Sequence, residues 1–124
     1  MSKLNDVQHL KWDDIPREEL AEGLARQMMT GEKAMVAKVF VAKDAVVPKH
    51  HHVNEQVTLV ISGSLKFRHG DNLDVERIAN AGDIIVSPEN VPHEVIGIED
   101  SVAIDIFAPP RQDWLDGTDD YFRK

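Results

Sequence analysis

From Gly23 onward the chain is cut into short apolar runs, about one every ten residues, each closed by glycine, proline, asparagine or aspartate. That rhythm leaves little room for helices, which average about three turns. It favours many short strands in a sandwich or barrel. The runs are Leu24 to Met29, Ala34 to Val41, His50 to Ile61, Leu65 to His69, Leu73 to Ile78, Ile84 to Val86, Glu94 to Ile98 and Val102 to Phe107. Gly70-Asp71-Asn72 and Ala81-Gly82-Asp83 are turns of the kind that join antiparallel strands. An N-terminal arm, residues 3–20, is expected to hold at most a short helical turn. The tail from Pro109 is expected to start a short helix at Gln112 and to lay Trp114, Tyr121 and Phe122 against the outside of the domain. A chain of 124 residues fits one domain, 1–124, with a core of its own.

The sequence contains no cysteine, which excludes disulfides, cysteine-ligated metal centres and thiol nucleophiles. Net charge is −8, from 22 acidic and 14 basic residues, and this argues against nucleic acid or an anionic membrane as partner. No apolar run reaches membrane-spanning length, and Met1 to Asp6 has no apolar leader. A cytoplasmic protein acting on a small molecule is the expectation.

Chemistry concentrates at the histidines. His50, His51 and His52 stand in a row, with Asn54, Glu55 and Gln56 behind them, and His93 follows a proline-rich loop. If 50–61 is one strand, His50, His52, Asn54 and Gln56 share a face, while His51 and Glu55 share the other. Two imidazoles at i and i+2, an amide oxygen four residues on and a histidine from a neighbouring strand can converge on one divalent metal ion. Glu55 takes the place of Gln56 as ligand if a bulge reverses the faces. His9, His51 and His69 read as ordinary surface or turn residues.

The full spacing is His50-x-His52-x3-Gln56-x6-Gly63, then Gly82-x5-Pro88-x-Asn90-x2-His93. It resembles the two motifs of the cupin superfamily, G-x5-H-x-H-x3,4-E-x6-G and G-x5-P-x-G-x2-H-x3-N. The resemblance covers roughly residues 33–107. It implies an all-β fold, the double-stranded β-helix or jelly-roll barrel, with a metal in its mouth held by His50, His52, Gln56 and His93. Nickel, zinc, manganese and iron all suit such a site. Three positions depart from the pattern: Asp44 or Ala45 replaces the first glycine, Asn90 replaces the second-motif glycine, and Gln56 replaces the acidic ligand. A neutral amide leaves the full charge on the metal, which makes it a stronger electrophile toward an anionic oxygen.

Near the end, Ala103, Asp105 and Phe107 alternate with Val102, Ile104 and Ile106. The isoleucine face reads as core, so Asp105 and Phe107 are expected to face a cavity. A buried aspartate needs a partner, and Arg111 is near in sequence. Asp105-x-Phe107-x3-Arg111, with Glu55-Gln56 in the first motif, resembles the pectin-degradation (KdgF-like) cupins. That resemblance implies an isomerase of carbohydrate metabolism, acting on 4,5-unsaturated uronates by ring opening and ketonisation. Asp105 would be the acid/base, and Phe107 and Arg111 would line the substrate pocket. A homodimer is a further expectation from the resemblance. Two other functions compete. One is a non-catalytic cupin binding a small anion. The other is an iron-dependent dioxygenase, disfavoured because the pocket strands carry few aromatics for a flavonol-like substrate.

Overall fold

A computed structural model describes residues 6–119 and 121. Its strands follow the punctuation of the sequence: β1 (Glu18–Ala21), β2 (Leu24–Thr30), β3 (Met35–Val41), β4 (Val46–His50), β5 (Glu55–Ser62), β6 (Ser64–His69), β7 (Val75–Asn80), β8 (Ile84–Ser87), β9 (His93–Gly97) and β10 (Ser101–Ala108). One short helix, α1 (Gln112–Asp116), starts where the sequence places it. The strands form two antiparallel sheets, ordered β1-β2-β3-β10-β5-β8 and β4-β9-β6-β7. This is the jelly-roll arrangement. Leu24, Met35, Val41, Val60, Leu65, Phe67, Ala103 and Phe107 fill the space between the sheets. No helix among the described residues is long and apolar enough to cross a membrane.

Four expectations change. The arm contains a strand, β1, paired with β2, besides a 3-10 turn at Trp12–Asp14. The stretch from His50 to Ile61 is two strands: β4 ends at His50, and 51–54 is a loop. Alternation in burial nevertheless continues through that loop, with His52, Asn54 and Gln56 buried and His51, Val53 and Glu55 exposed. The isoleucine face of β10 is not core. Ala103, Asp105 and Phe107 point inward, while Ile106 is 37% exposed on the outer face of the six-stranded sheet. A small barrel has one interior, which must serve as both core and cavity, so the aspartate shares a face with core residues. Finally, Trp114 is buried in the core cluster and Tyr121 packs against it, so these tail aromatics pack inward. Phe122 lies outside the described residues.

The N-terminal arm covers part of the outer face. Gln27 on β2 donates to the carbonyls of Trp12 and Ile15, both at 2.8 Å. Lys38 on β3 sits over the Trp12 ring.

Left-handed backbone explains two departures from the cupin pattern. Asp44 has φ 69° and Asn90 φ 59°, each where the pattern has glycine. Aspartate and asparagine are the side chains that tolerate this geometry best. Gly63 is less replaceable. Its φ is +82°, and a Cβ there would collide with the carbonyl of Asp100 and the side chain of Ser101. Gly63→Ala is expected to destabilise the fold by roughly 2–3 kcal/mol, read as a lower urea midpoint with an unchanged slope. A midpoint equal to the parent's would contradict the crowding.

Candidate metal centre

Three elements deliver the histidines to one point. His50 closes β4, His52 sits in the following loop, and His93 opens β9 directly opposite His50 in the ladder. One ring nitrogen of each lies within 4.8 Å of the others. Asn54 ties the loop down by donating to the carbonyls of Pro109 (2.5 Å) and Pro110 (3.2 Å). The same bonds bring the Pro-Pro turn, and Arg111 after it, beside the site.

Backbone carbonyls settle the tautomers. Nδ1 of His50 bonds Pro48 O at 2.8 Å, Nδ1 of His52 bonds Asn54 O at 3.0 Å, and Nδ1 of His93 bonds Val91 O at 3.0 Å. A carbonyl only accepts, so each Nδ1 carries the proton and each Nε2 is left with a bare lone pair. Nε2 of His93 is buried without a hydrogen-bond partner among the described residues. Nε2 of His52 faces Oε1 of Gln56 at 3.2 Å. The amide is oriented by its other end, because Gln56 Nε2 donates to Thr58 Oγ1 (3.1 Å) and Asp105 Oδ1 (3.2 Å). Two acceptors therefore face each other, an arrangement that a cation between them relieves. Outer nitrogens bonded to carbonyls and inner lone pairs converging are the usual dress of metal-bound imidazoles. The residues present fit a divalent ion.

Burial reinforces this. It depresses the pKa of His50 to about 3, with His93 nearby as the next cause, and those of His52 and His93 to about 4. The rings are thus neutral near pH 7 and ready to ligate. His51 and Glu55 are exposed and point away, so Glu55 is not in position to replace Gln56. His69, read from sequence as a turn residue, lies against His93 (ring centroids 5.7 Å) and bonds Ser87 Oγ at 2.8 Å.

Asp105 lines the same cavity as His50, Gln56 and His93. Its Oδ1 accepts from Thr58 (2.5 Å) and Gln56, and burial pushes its pKa up to about 6 against the pull of those bonds. Phe107 packs edge-on against His52. Arg111 is buried and reaches the cavity, but its partner is Asp113 rather than Asp105. Nε and Nη2 grip the Asp113 carboxylate at 2.9 and 2.7 Å. Thr58, Trp114 and Tyr121 also line the cavity, and sequence reasoning did not place them there. Alternation from Gln56 would have found Thr58. Nothing local marks Trp114 or Tyr121, which arrive by a tertiary return of the tail. With Phe67 and Phe107 they make the cavity more aromatic than the strands alone imply.

The shifted groups set a pH dependence for the metal-free protein. The histidine pKa values are lowered, so the stability tied to neutral rings is intact above about 6.5 and is lost as pH falls toward 4. Asp105 acts oppositely: its pKa is raised, so its share is present below 3.8 and lost as pH rises through about 6. Three groups outweigh one. The expected slope between pH 6 and 4.5 is on the order of 2–3 kcal/mol per pH unit. Thermal melts followed by circular dichroism check it, and a melting temperature flat across that range contradicts buried neutral imidazoles.

Comparison with known proteins agrees with the fold. The family model described as a cupin domain matches residues 37–107. KdgF from Halomonas sp. superposes with a TM-score of 0.75 at 26% identity, over 82% of this chain and 94% of that one. An RmlC-like cupin from Shewanella frigidimarina NCIMB 400 gives 0.78 at 27% identity, over 87% and 96%. Oxalate decarboxylase from Bacillus subtilis shares the fold at 17% identity and a TM-score of 0.71, this chain matching 29% of its length. No curated protein matches the sequence significantly. The chain belongs to the cupin family, as a small cupin resembling KdgF.

Proposed function

We propose that this cupin is a one-domain, cytoplasmic, metal-dependent isomerase that opens and ketonises 4,5-unsaturated uronate monosaccharides. The observation that carries the reading is Asp105: a buried carboxylate with a raised pKa, facing a cavity where three imidazole lone pairs and an amide oxygen converge. His50, His52, Gln56 and His93 would hold the ion. Bound there, it supplies a positive charge to a sugar oxygen.

Chain residues account for the rest. The C1 hydroxyl proton leaves, the bond from C1 to the ring oxygen breaks, and C1 becomes an aldehyde. The ring oxygen becomes that of an enol at C5, C4 takes a proton, and the C4=C5 bond gives way to a ketone at C5. The change is an isomerisation and needs no oxidant. Asp105, with a pKa near 6, suits proton transfer to C4 near neutral pH. Its Oδ2 takes no hydrogen bond among the described residues, while Oδ1 is held by Thr58 and Gln56. Arg111 offers charge to the carboxylate, and Phe107 gives an apolar wall. Asp105→Asn is expected to lower turnover of unsaturated galacturonate 10²–10⁴-fold, read as loss of the ultraviolet absorbance of the C=C bond, with metal content unchanged. His52→Ala is expected to lower metal content at least tenfold. Wild-type loss of absorbance no faster than the spontaneous reaction would sink the enzyme reading.

One observation favours a second reading, a cupin that binds a small anion without turnover. The cavity holds only about 50 Å3 of free volume. That reading predicts thermal stabilisation by the anion with no loss of absorbance. The aromatic wall keeps an iron-dependent dioxygenase in view as well, and oxygen uptake separates it.

A homodimer is part of the proposal. Val86, Val57 and Ile106 lie side by side across β8, β5 and β10, with Ile84, Leu59 and Ile104 in the next row. Ile84 and Val86 are 63% and 55% exposed. This patch carries no charge on a chain of net charge −8, so two copies can meet there without repulsion. Sedimentation should return twice the chain mass, and Ile84→Lys with Val86→Lys should return one chain mass. A wild-type monomer at high concentration refutes the interface.

A further inference from the structure

The cavity beneath the histidines is too small for the ligand its chemistry suits. About 50 Å3 of free volume accommodates a few waters, whereas small-molecule pockets start at roughly 300 Å3. Tyr121 completes its wall. The phenol ring lies flat on His50, with centroids 4.1 Å apart and planes 10° from parallel. The phenol oxygen accepts from Arg111 Nη2 at 2.7 Å and from Trp114 Nε1 at 3.2 Å. Arg111 already spends its Nε–Nη2 edge on Asp113. The phenol oxygen therefore stands against the guanidinium where a carboxylate oxygen would otherwise accept.

An anchor lies two residues back. Asp119 takes a 2.6 Å bond from Arg26 Nη1, and both side chains are buried. Arg26 also bonds Glu18 on β1 at 2.9 Å, and its guanidinium lies over the Trp114 ring. One arginine on β2 thus fixes both Asp119 and the indole that bonds Tyr121. A buried pair of this kind specifies position more than it adds stability.

We infer that Tyr121 is the stopper of this site: its phenol oxygen keeps the place of a ligand carboxylate oxygen on Arg111, a ligand enters by swinging the side chain off His50, and the Arg26–Asp119 pair sets how firmly it is held. The identity of the carboxylate rests on the uronate reading, but the closure does not. The ligand competes with Tyr121 for Arg111, so the measured affinity is the intrinsic affinity reduced by the open fraction. The same swing uncovers His50 and with it the metal position.

Tyr121 is the single tyrosine of the chain, so its O-acetylation by N-acetylimidazole, read by mass spectrometry, reports its exposure directly. With nickel-loaded protein, galacturonate should speed that acetylation. Tyr121→Ala should bind galacturonate about tenfold more tightly by calorimetry, and EDTA should strip its nickel about tenfold faster. Tyr121→Phe, which keeps the ring and loses the bond to Arg111, should gain affinity while its stripping rate stays near that of the parent. Asp119→Asn should acetylate faster. If that variant fails to fold by circular dichroism, the Tyr121 variants carry the test, since Tyr121 is only half-buried. Weaker galacturonate binding by Tyr121→Ala, with nickel loss unchanged, would overturn the inference and make Tyr121 an ordinary ligand contact. Faster nickel loss with no galacturonate binding by either protein would uphold the closure and overturn the carboxylate assignment, together with the uronate reading.

Discussion

Three backbone carbonyls, those of Pro48, Asn54 and Val91, each accept a hydrogen bond from Nδ1 of a histidine two residues away. Everything at the site depends on these local bonds. They fix the tautomer, aim each Nε2 inward and hold the rings at the rim of the barrel. Without them, three neutral rings in a half-buried cleft would have several rotamers and no shared point of convergence. The energetic cost is visible in the bare Nε2 of His93 and the facing acceptors of His52 and Gln56. A polar group left unpaired inside a protein costs on the order of 1–3 kcal/mol. A fold that maintains several at one point has a use for a cation there.

The choice of glutamine at position 56 joins the histidines to the aspartate. An amide has an acceptor at one end and donors at the other. Here the acceptor faces His52, and the donors hold Asp105 and Thr58. A carboxylate in that place would have no proton to give Asp105 when ionised, and would repel it across the same gap. Glutamine therefore lets two functional groups of opposite preference share a small, poorly solvated space. Burial raises the pKa of Asp105 while the hydrogen bonds from Thr58 and Gln56 restrain the shift.

The tail adds a third set of restraints. Arg26 joins Glu18, Asp119 and Trp114, and Trp114 with Arg111 holds the phenol oxygen of Tyr121. A buried arginine is stable only when its charge is met, so β1 and the segment at Asp119 are drawn to the same arginine on β2. The metal site, the proposed substrate arginine and the tail thus form one connected network, not three neighbouring features.

Much of this was legible in the residues. Punctuation by glycine, proline, asparagine and aspartate marks most strand ends and the antiparallel turns, because these residues reverse the chain at the least steric cost, although it missed β1 and the break at 51–54. The histidine spacing, Gln56 and the second motif mark the centre, since alternation between faces is a property of extended backbone even where the ladder is broken at 51–54. The parity of Asp105 and Phe107 was legible for the same reason. That the isoleucine face would lie outside the core was not, because β10 is apolar on both faces and only the sheet it joins decides which apolar side is covered. Nor could local pattern show that Arg111 would be held by Asp113, that β1 would form, or that Trp114 and Tyr121 would turn into the cavity. Those outcomes depend on contacts distant in sequence, such as Arg26 with Asp119, whose geometry exists only once the barrel has closed.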